Sequence, residues 1–516
     1  MHRTVFRSRV RLLSIVAVTA LVVSFTSACS RTAPVVEESS QQVESGQTFS
    51  LSLLQLNDVY EITPVEGGKA GGLARVATIR KDLLADDPNT LTLLAGDFLS
   101  PSALGTAKVD GVRLAGKHMV EVLNAVGVDL VTLGNHEFDL SREQLIERIA
   151  ESDFVYVAGN VLDEKGGRIP GVVPYRILRI PAGRGRVFRL GVLGVTADIV
   201  PVDYVAYAGY KETVKSQVAM LRDSVDAFVA MTHLFLAQDI DLATEVPELA
   251  LIMGGHDHEN VLVLRGPSMT PIAKADANAR SVYVHTLTYD FSTGETSVDS
   301  RIVPVTDEIP DDPTTNAVIE SWLDRAWEGF RASGFAPQQV VATVSDPLDG
   351  RESSVLHHPT RLTRLIAAGM RAAAGETDLS IYNAGMIRID DVIPPGRVTQ
   401  YDIIRVLPFG GNVLTVDMKG SLLDSVLTQG AKNEGSGGFL QADGVREEGG
   451  IWFLNEGAIL PDEVYRVAIN DFLVSGREAN LEFLTLDSPN AKQVDRHGDI
   501  RFAVIDEMKR QYPPKP

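Results

Sequence analysis

From Leu51 to about Val305, short apolar runs alternate with stretches in which apolar residues recur every three or four positions. The runs "LSLLQL", "TLTLLAGD", "VDLVTLGNHE", "FVYVAGN", "DAFVAMTHL" and "ELALIMGGHDH" have the length of strands and almost no polar interior, so both faces of their sheet must be covered. "GKHMVEVLNAVG" and "SREQLIERIAES" carry the period of amphipathic helices able to cover them. The alternation predicts a layered α/β domain over residues 50–305. An acidic, proline-containing break, "DEIPDDPTTN", then leads into the helical "AVIESWLDRAWEGFRASG", which predicts a connecting helix within residues 306–336. Beyond it, helical "TRLTRLIAAGMRAAAG" and "KGSLLDSVLTQGA", strand-like "DLSIYNAG" and a closing helix in "DIRFAVIDEMKRQ" predict a second α/β domain over residues 337–516.

The first residues depart from this pattern. Arg3, Arg7, Arg9 and Arg11 precede an apolar run from about Leu12, so residues 1–28 read as an export signal. The single cysteine, Cys29, leaves this chain no internal disulfide. Its context "TSAC" resembles a bacterial lipobox with Thr26 where leucine is more usual, so Cys29 reads as a lipidation site and residues 29–49 as a polar, flexible, lipid-anchored tether. The implied location is the periplasm or cell envelope, and Ser30 favours the outer membrane by resemblance to other lipoproteins. No further membrane span is predicted, so the lipid would be the only membrane contact.

The formal net charge of -20 becomes -24 once the four leader arginines are removed, a surface that repels polyanions and excludes nucleic-acid polymers as ligands. A small anion can bind only where metals or local arginines invert the sign inside a cleft.

Candidate chemistry collects at the ends of the apolar runs. Asp58, Asp97, Asn135, His136, Asp139, His233, His256 and His258 each follow one, at the edge where open α/β sheets bind ligands. Four of the ten histidines lie there, and clustered buried polar groups are costly unless something binds them. Carboxylate, amide and imidazole donors without thiolates suit two divalent ions such as Zn, Mn, Fe or Co. Two such ions sharing a carboxylate would hold a hydroxide and clamp both ends of an in-line displacement at phosphorus.

The set "ND", "AGD", "GNHEFD", "THL" and "GGHDH", in this order and followed by a second domain, resembles the two-domain 5'-nucleotidase family of calcineurin-like metallophosphatases. The resemblance covers nearly all of the mature chain. It implies a four-layer catalytic domain, two β-sheets flanked by helices, with a C-terminal α/β substrate-binding domain. It also implies that Asp58, Asp97 and His258 serve one metal, that Asp97, Asn135, His233 and His256 serve the other, and that His136, oriented by Asp139, stabilises the transferring phosphoryl group. The family's first motif is Asp-x-His, and this chain has Tyr60 at the histidine position. A phenol ligates well only to a strongly acidic ion such as ferric iron, so Tyr60 either ligates iron or donates a hydrogen bond while water fills the place.

In the second domain "YNAGMIR" resembles the loop in which Asn383 would contact a nucleoside and Arg388 phosphate oxygens. Phe409 and Phe472 match two aromatics that sandwich a base, and Asn412 would meet the ring edge. Two positions depart: Glu478 stands where an aspartate would bind the ribose, and Leu356 where a further phosphate arginine is expected, with Arg351, Arg361 or Arg364 as substitutes. The reading is an exported phosphoesterase acting on 5'-nucleotides. The alternatives are cyclic nucleotides, a thiosulfohydrolase-type substrate, or a nucleotide-binding lipoprotein without turnover. A hinge around Ala317 to Gly334 would let the two domains move.

Overall fold

The computed structural model describes residues 47–199 and 202–515. Cys29, the leader and most of the tether lie outside the described residues. The first strand, Thr48–Leu56, starts three residues earlier than the apolar run suggests, because Thr48 to Ser50 pair antiparallel with Thr288 to Asp290.

That strand sits inside a seven-stranded sheet whose spatial order is Thr296–Pro304, Ser281–Asp290, Thr48–Leu56, Leu91–Ala95, Leu130–Thr132, Val155–Val157 and Val172–Val173. The last five run parallel. A second, six-stranded sheet runs Val261–Arg265, Thr270–Lys274, Leu249–Gly254, Ala227–His233, Val187–Thr196 and Tyr175–Pro181.

Strand periodicity explains the layers. Leu51, Leu53, Leu93 and Leu130 point to one side, where they meet Leu190, Val192, Val229, Met231, Leu251 and Met253 of the other sheet. Leu54, Leu56, Leu94 and Val131 point to the opposite side, against helices that include Leu73–Asp86 and Lys117–Val126. The far face of the second sheet, through Leu193, Val195, Ala230 and Ile252, packs on the helices Tyr210–Leu221 and Leu236–Glu245. Helix, sheet, sheet and helix therefore follow one another, as the resemblance implied. The buried Gln55 ties the sheets together, donating to Gly254 O and Ala273 O.

The connecting helix is Pro313–Ala332, capped by Asp312, which accepts from Thr315 N. It lies against the catalytic half: Trp322 is buried and donates to Glu121. The chain then turns at Gly334, whose φ of +90° favours glycine. The C-terminal half is built on a five-stranded sheet, Leu440–Asp443, Leu379–Asn383, Val464–Asn470, Asn412–Lys419 and Ala491–Asp499. The helix Gly420–Lys432 covers one face, and Arg361–Ala374 and Ile500–Gln511 cover the other. A single apolar cluster runs from Leu54 through Trp322 to Val504, so the halves share a core.

Candidate metal centre

Parallel register brings the strand ends level: Leu56 lies opposite Leu94, Ala95 opposite Thr132, and Thr196 opposite His233. Asp58, Asp97 and Asn135 leave the first sheet, and His233, His256 and His258 the second, so the site straddles both. Asp58, Asp97, His256 and His258 all have positive φ, at 52°, 55°, 84° and 61°. Left-handed backbone costs about 1 to 3 kcal/mol per residue, and such strain persists where the surrounding structure over-determines it. Close approach demands glycine here, since a Cβ on Gly134 would fall 2.0 Å from Asp97 Oδ1 and one on Gly96 2.6 Å from His233 Nδ1.

Asp58, Asp97 and His233 each have one atom tied outward and another facing the centre. Asp58 Oδ2 accepts from Asn57 Nδ2 at 2.8 Å and His256 N at 2.9 Å, leaving Oδ1 inward. Asp97 Oδ1 accepts from His136 N at 2.8 Å, leaving Oδ2 inward. His233 Nδ1 lies 2.8 Å from Ala95 O, so its proton sits there and Nε2 faces Asn135 Oδ1 at 3.1 Å and Asp97 Oδ2 at 3.2 Å. A nitrogen lone pair against two oxygens is repulsive unless a cation stands between.

Without a metal, that cation is a proton. Burial opposes charge on His233, but Asp97 and Asp58 outweigh it and raise the imidazole to about 9. His258 is likewise raised to about 10, with Glu352 and Asp390 overcoming burial. Burial opposes ionisation of Asp97, yet His233 and His136 hold its carboxyl below the usual range. Divalent ions would replace these protons on the same donors. Asp58, Asp97 and His233 offer atoms all within 4.8 Å of one another, and the set fits a hard or borderline divalent ion. His256 is a neutral imidazole, lowered to about 3 by burial and the charge of His233, with its ring edge-on to Phe235.

Tyr60 Oη enters this cluster, 2.9 Å from His258 Nε2, 3.2 Å from Asp97 Oδ2 and 3.5 Å from Asp58 Oδ1. His136 Nδ1 lies 2.9 Å from Asp139 Oδ2, which also accepts from Ser100 Oγ. Burial disfavours the imidazolium, but Asp97 and Asp139 raise it, and Arg388 opposes them from the C-terminal half. Arg388 is half-buried with Nη1 3.8 Å from Glu352 Oε1, and its Nε carries no hydrogen bond.

The remaining expected substrate residues divide. Phe409 and Phe472 are 48% and 38% exposed, and the Arg477 guanidinium lies over the Phe472 ring, 5.3 Å from its centroid. Phe409 borders a cavity of about 100 Å³ shared with Ser100, Ser102, Asp139 and Leu140. Asn383 and Glu478 are buried against each other, Asn383 Nδ2 donating to Glu478 Oε2 at 2.7 Å. Asn412 Nδ2 donates to Asp471. Leu356 packs on the core, Arg361 pairs with Asp346 at the surface, and Arg364 is exposed. Of the three substitute arginines, Arg351, paired with Asp349, borders the cavity beside His258, together with Arg280.

Sequence reasoning missed two carboxylates. Glu137, inside "GNHEFD", accepts from the backbone N–H groups of Asp97, Phe98, Leu99 and Gly134. Asp390, two residues after Arg388, reaches His258 Nδ1 at 3.0 Å.

Residues 51–260 match the calcineurin-like phosphoesterase model, and residues 340–484 the 5'-nucleotidase C-terminal domain. This chain belongs to the calcineurin-like phosphoesterases that carry a 5'-nucleotidase C-terminal domain. It is a hydrolase of phosphate esters, and its family uses two divalent metals. The phosphoesterase is 26% identical over 468 residues to a 5'-nucleotidase of Vibrio cholerae, covering 78% of this chain and 80% of the relative. It is 26% identical over 540 residues to the human 5'-nucleotidase, covering 90% of each. In fold it resembles a 5'-nucleotidase precursor from Thermus thermophilus, with TM-score 0.73, 23% identity and coverage of 90% and 97%. The sulfate thiohydrolase SoxB of Thermus thermophilus shares the fold at TM-score 0.69 and 16% identity, over 90% and 96%.

Proposed function

We propose that this phosphoesterase hydrolyses 5'-nucleotides to nucleoside and phosphate outside the cytoplasm. The observation that carries the reading is the cluster of Asp58, Asp97, Asn135, His233 and His258 where the strand ends of the two sheets meet, with the His136–Asp139 pair beside them and the charge of Arg388 acting on His136 from the other half. Asp58, Asp97 and His258 would hold one ion, and Asp97, Asn135, His233 and His256 the second. Bound ions would supply Lewis-acid charge for activating water and neutralising phosphoryl oxygens.

The chain's own residues do the rest. Asp139 holds the His136 ring by Nδ1, which directs Nε2 at the reacting group. With Asp139 on Nδ1, His136 would present Nε2 to stabilise the phosphoryl oxygens and protonate the departing 5'-oxygen as the ester P–O bond breaks. Arg388 offers its planar fork to the remaining oxygens. Phe409 and Phe472 would take the base between them.

Glu478 is engaged by Asn383 and Leu356 carries no charge, so ribose and phosphate contacts are fewer than the family pattern implies. These departures favour a second reading, a phosphate or sulfur ester without a nucleoside. Comparing kcat/KM for nucleoside monophosphates, cyclic nucleotides, a simple aryl phosphate and a thiosulfonate separates them: a preference for the nucleoside monophosphates of about tenfold or more supports the first. Equal rates on the aryl phosphate would oppose it.

Export and anchoring through Cys29 rest on the leader pattern. Mass spectrometry of the mature N-terminus tests them, with Cys29→Ser expected to move the protein from membrane to soluble fraction.

A further inference from the structure

The loop that carries Arg388 also brings a carboxylate to the outer nitrogen of His258. His258 Nε2 faces inward, 3.6 Å from Asp58 Oδ1, while Nδ1 faces outward to Asp390 Oδ2 at 3.0 Å. A neutral imidazole has one proton, and a carboxylate at Nδ1 fixes it there, freeing the Nε2 lone pair for an ion and raising its basicity.

Asp390 is built for this position. It is buried, sits at a φ of 37°, and accepts from Glu352 N through Oδ1 at 2.9 Å. Glu352 in turn places Oε2 3.7 Å from His258 Nδ1 and Oε1 3.8 Å from Arg388 Nη1. The next residue, Asp391, accepts from Glu66 N and pairs with Arg405, which also pairs with Glu61 at 3.0 Å. Glu61 and Glu66 belong to the loop after Asp58 and Tyr60, so residues 388–391 are pinned to the segment that supplies the centre.

We propose that Asp390 is a positioning residue of the metal centre, and that the C-terminal half thereby sets the affinity of the site served by His258. This rests on the reading of His258 as a metal ligand. One short segment then serves both sides of the reaction: Arg388 contacts the phosphoryl group, and Asp390 orients the imidazole that holds an ion. Parting the halves would weaken both together, which links metal occupancy to their apposition.

The test titrates cobalt(II) into the metal-free full chain, following its visible spectrum and competition with a chromophoric chelator, for wild type, Asp390→Ala and Asp390→Asn. The expected result in Asp390→Ala is about 10- to 100-fold weaker binding at one of two sites with a changed cobalt spectrum. The other site keeps its affinity, the metal-free melting temperature stays close to wild type, and Asp390→Asn falls between. Two sites at wild-type affinity in Asp390→Ala would overturn the proposal, as would equal weakening of both with a large fall in metal-free melting temperature. If Asp390→Ala does not fold, Asp390→Asn carries the same comparison. Wild-type protein that binds no cobalt would instead overturn the metal centre itself.

Discussion

The hydroxyl of Tyr60 stands 2.9 Å from Nε2 of His258, a hydrogen-bond distance that two ligands of one ion would also keep. Bonds of about 2.1 Å give ligand-to-ligand edges of about 3.0 Å in an octahedron and about 3.4 Å in a tetrahedron. The distances of 3.2 Å to Asp97 and 3.5 Å to Asp58 fall on the same scale. Burial, then Asp97 and Asp58, pushes the phenol well above its usual range, so only a strongly acidic cation would take its proton. Protein loaded with ferric iron is expected to show a visible phenolate-to-iron absorption that Tyr60→Phe removes. Colourless iron-loaded protein would leave Tyr60 as a hydrogen-bond donor.

Glu137 holds the loop beneath the centre. Its two oxygens accept four backbone N–H groups, and burial with the charge of Asp97 raises the carboxyl to about 7. Orphaning buried donors costs about 1 to 3 kcal/mol each, so Glu137→Ala is expected to destabilise the fold by about 3 kcal/mol or more. Metal affinity should fall with it. Thermal melting and metal content check this, and wild-type values for both would count against it.

Acid should weaken the fold through two histidines outside the site. His118 and His285 are buried, and burial holds each down to about 3, from an ordinary value of 6.5. The unfolded chain therefore binds their protons first as pH falls. Their contribution is complete above about 6.5 and is lost on acidification toward about 3, by about 1.4 kcal/mol per pH unit for each histidine. Denaturant unfolding across that range should show a shallower slope for His118→Gln than for wild type. Identical slopes would contradict the burial of a neutral His118.

The aromatic pair should act on binding. Stacking contributes about 1 to 3 kcal/mol per base, so Phe409→Ala and Phe472→Ala should each raise KM for a nucleotide about tenfold. KM for a simple aryl phosphate should stay unchanged. Parallel losses on both substrates would place these rings outside the base site.

Strand ends were legible because buried strands write themselves as unbroken apolar runs, and a polar residue closing several runs in turn marks one sheet edge. That logic reached Asp58, Asp97, Asn135, His233, His256 and His258 directly. It could not reach Asp390, whose contact with His258 spans 132 positions and depends on how two halves meet. Glu137 was hidden for another reason: its partners are backbone N–H groups, which leave no pattern in side chains. The long hairpin Ser281–Asp290 with Thr296–Pro304 was also missed, because its outer strand alternates polar and apolar residues at a solvent edge.

The central claim is metal-dependent phosphoryl hydrolysis with His136 at the reacting group. The direct measurement is phosphate release from 5'-AMP by metal-free protein resupplied with Mn, Zn, Co or Fe, for wild type and His136→Ala. The account predicts release that requires added metal and falls by about 10² to 10⁴ in kcat for His136→Ala, with metal content and KM nearly unchanged. Release that is independent of metal, or a His136→Ala protein with wild-type kcat, would contradict it.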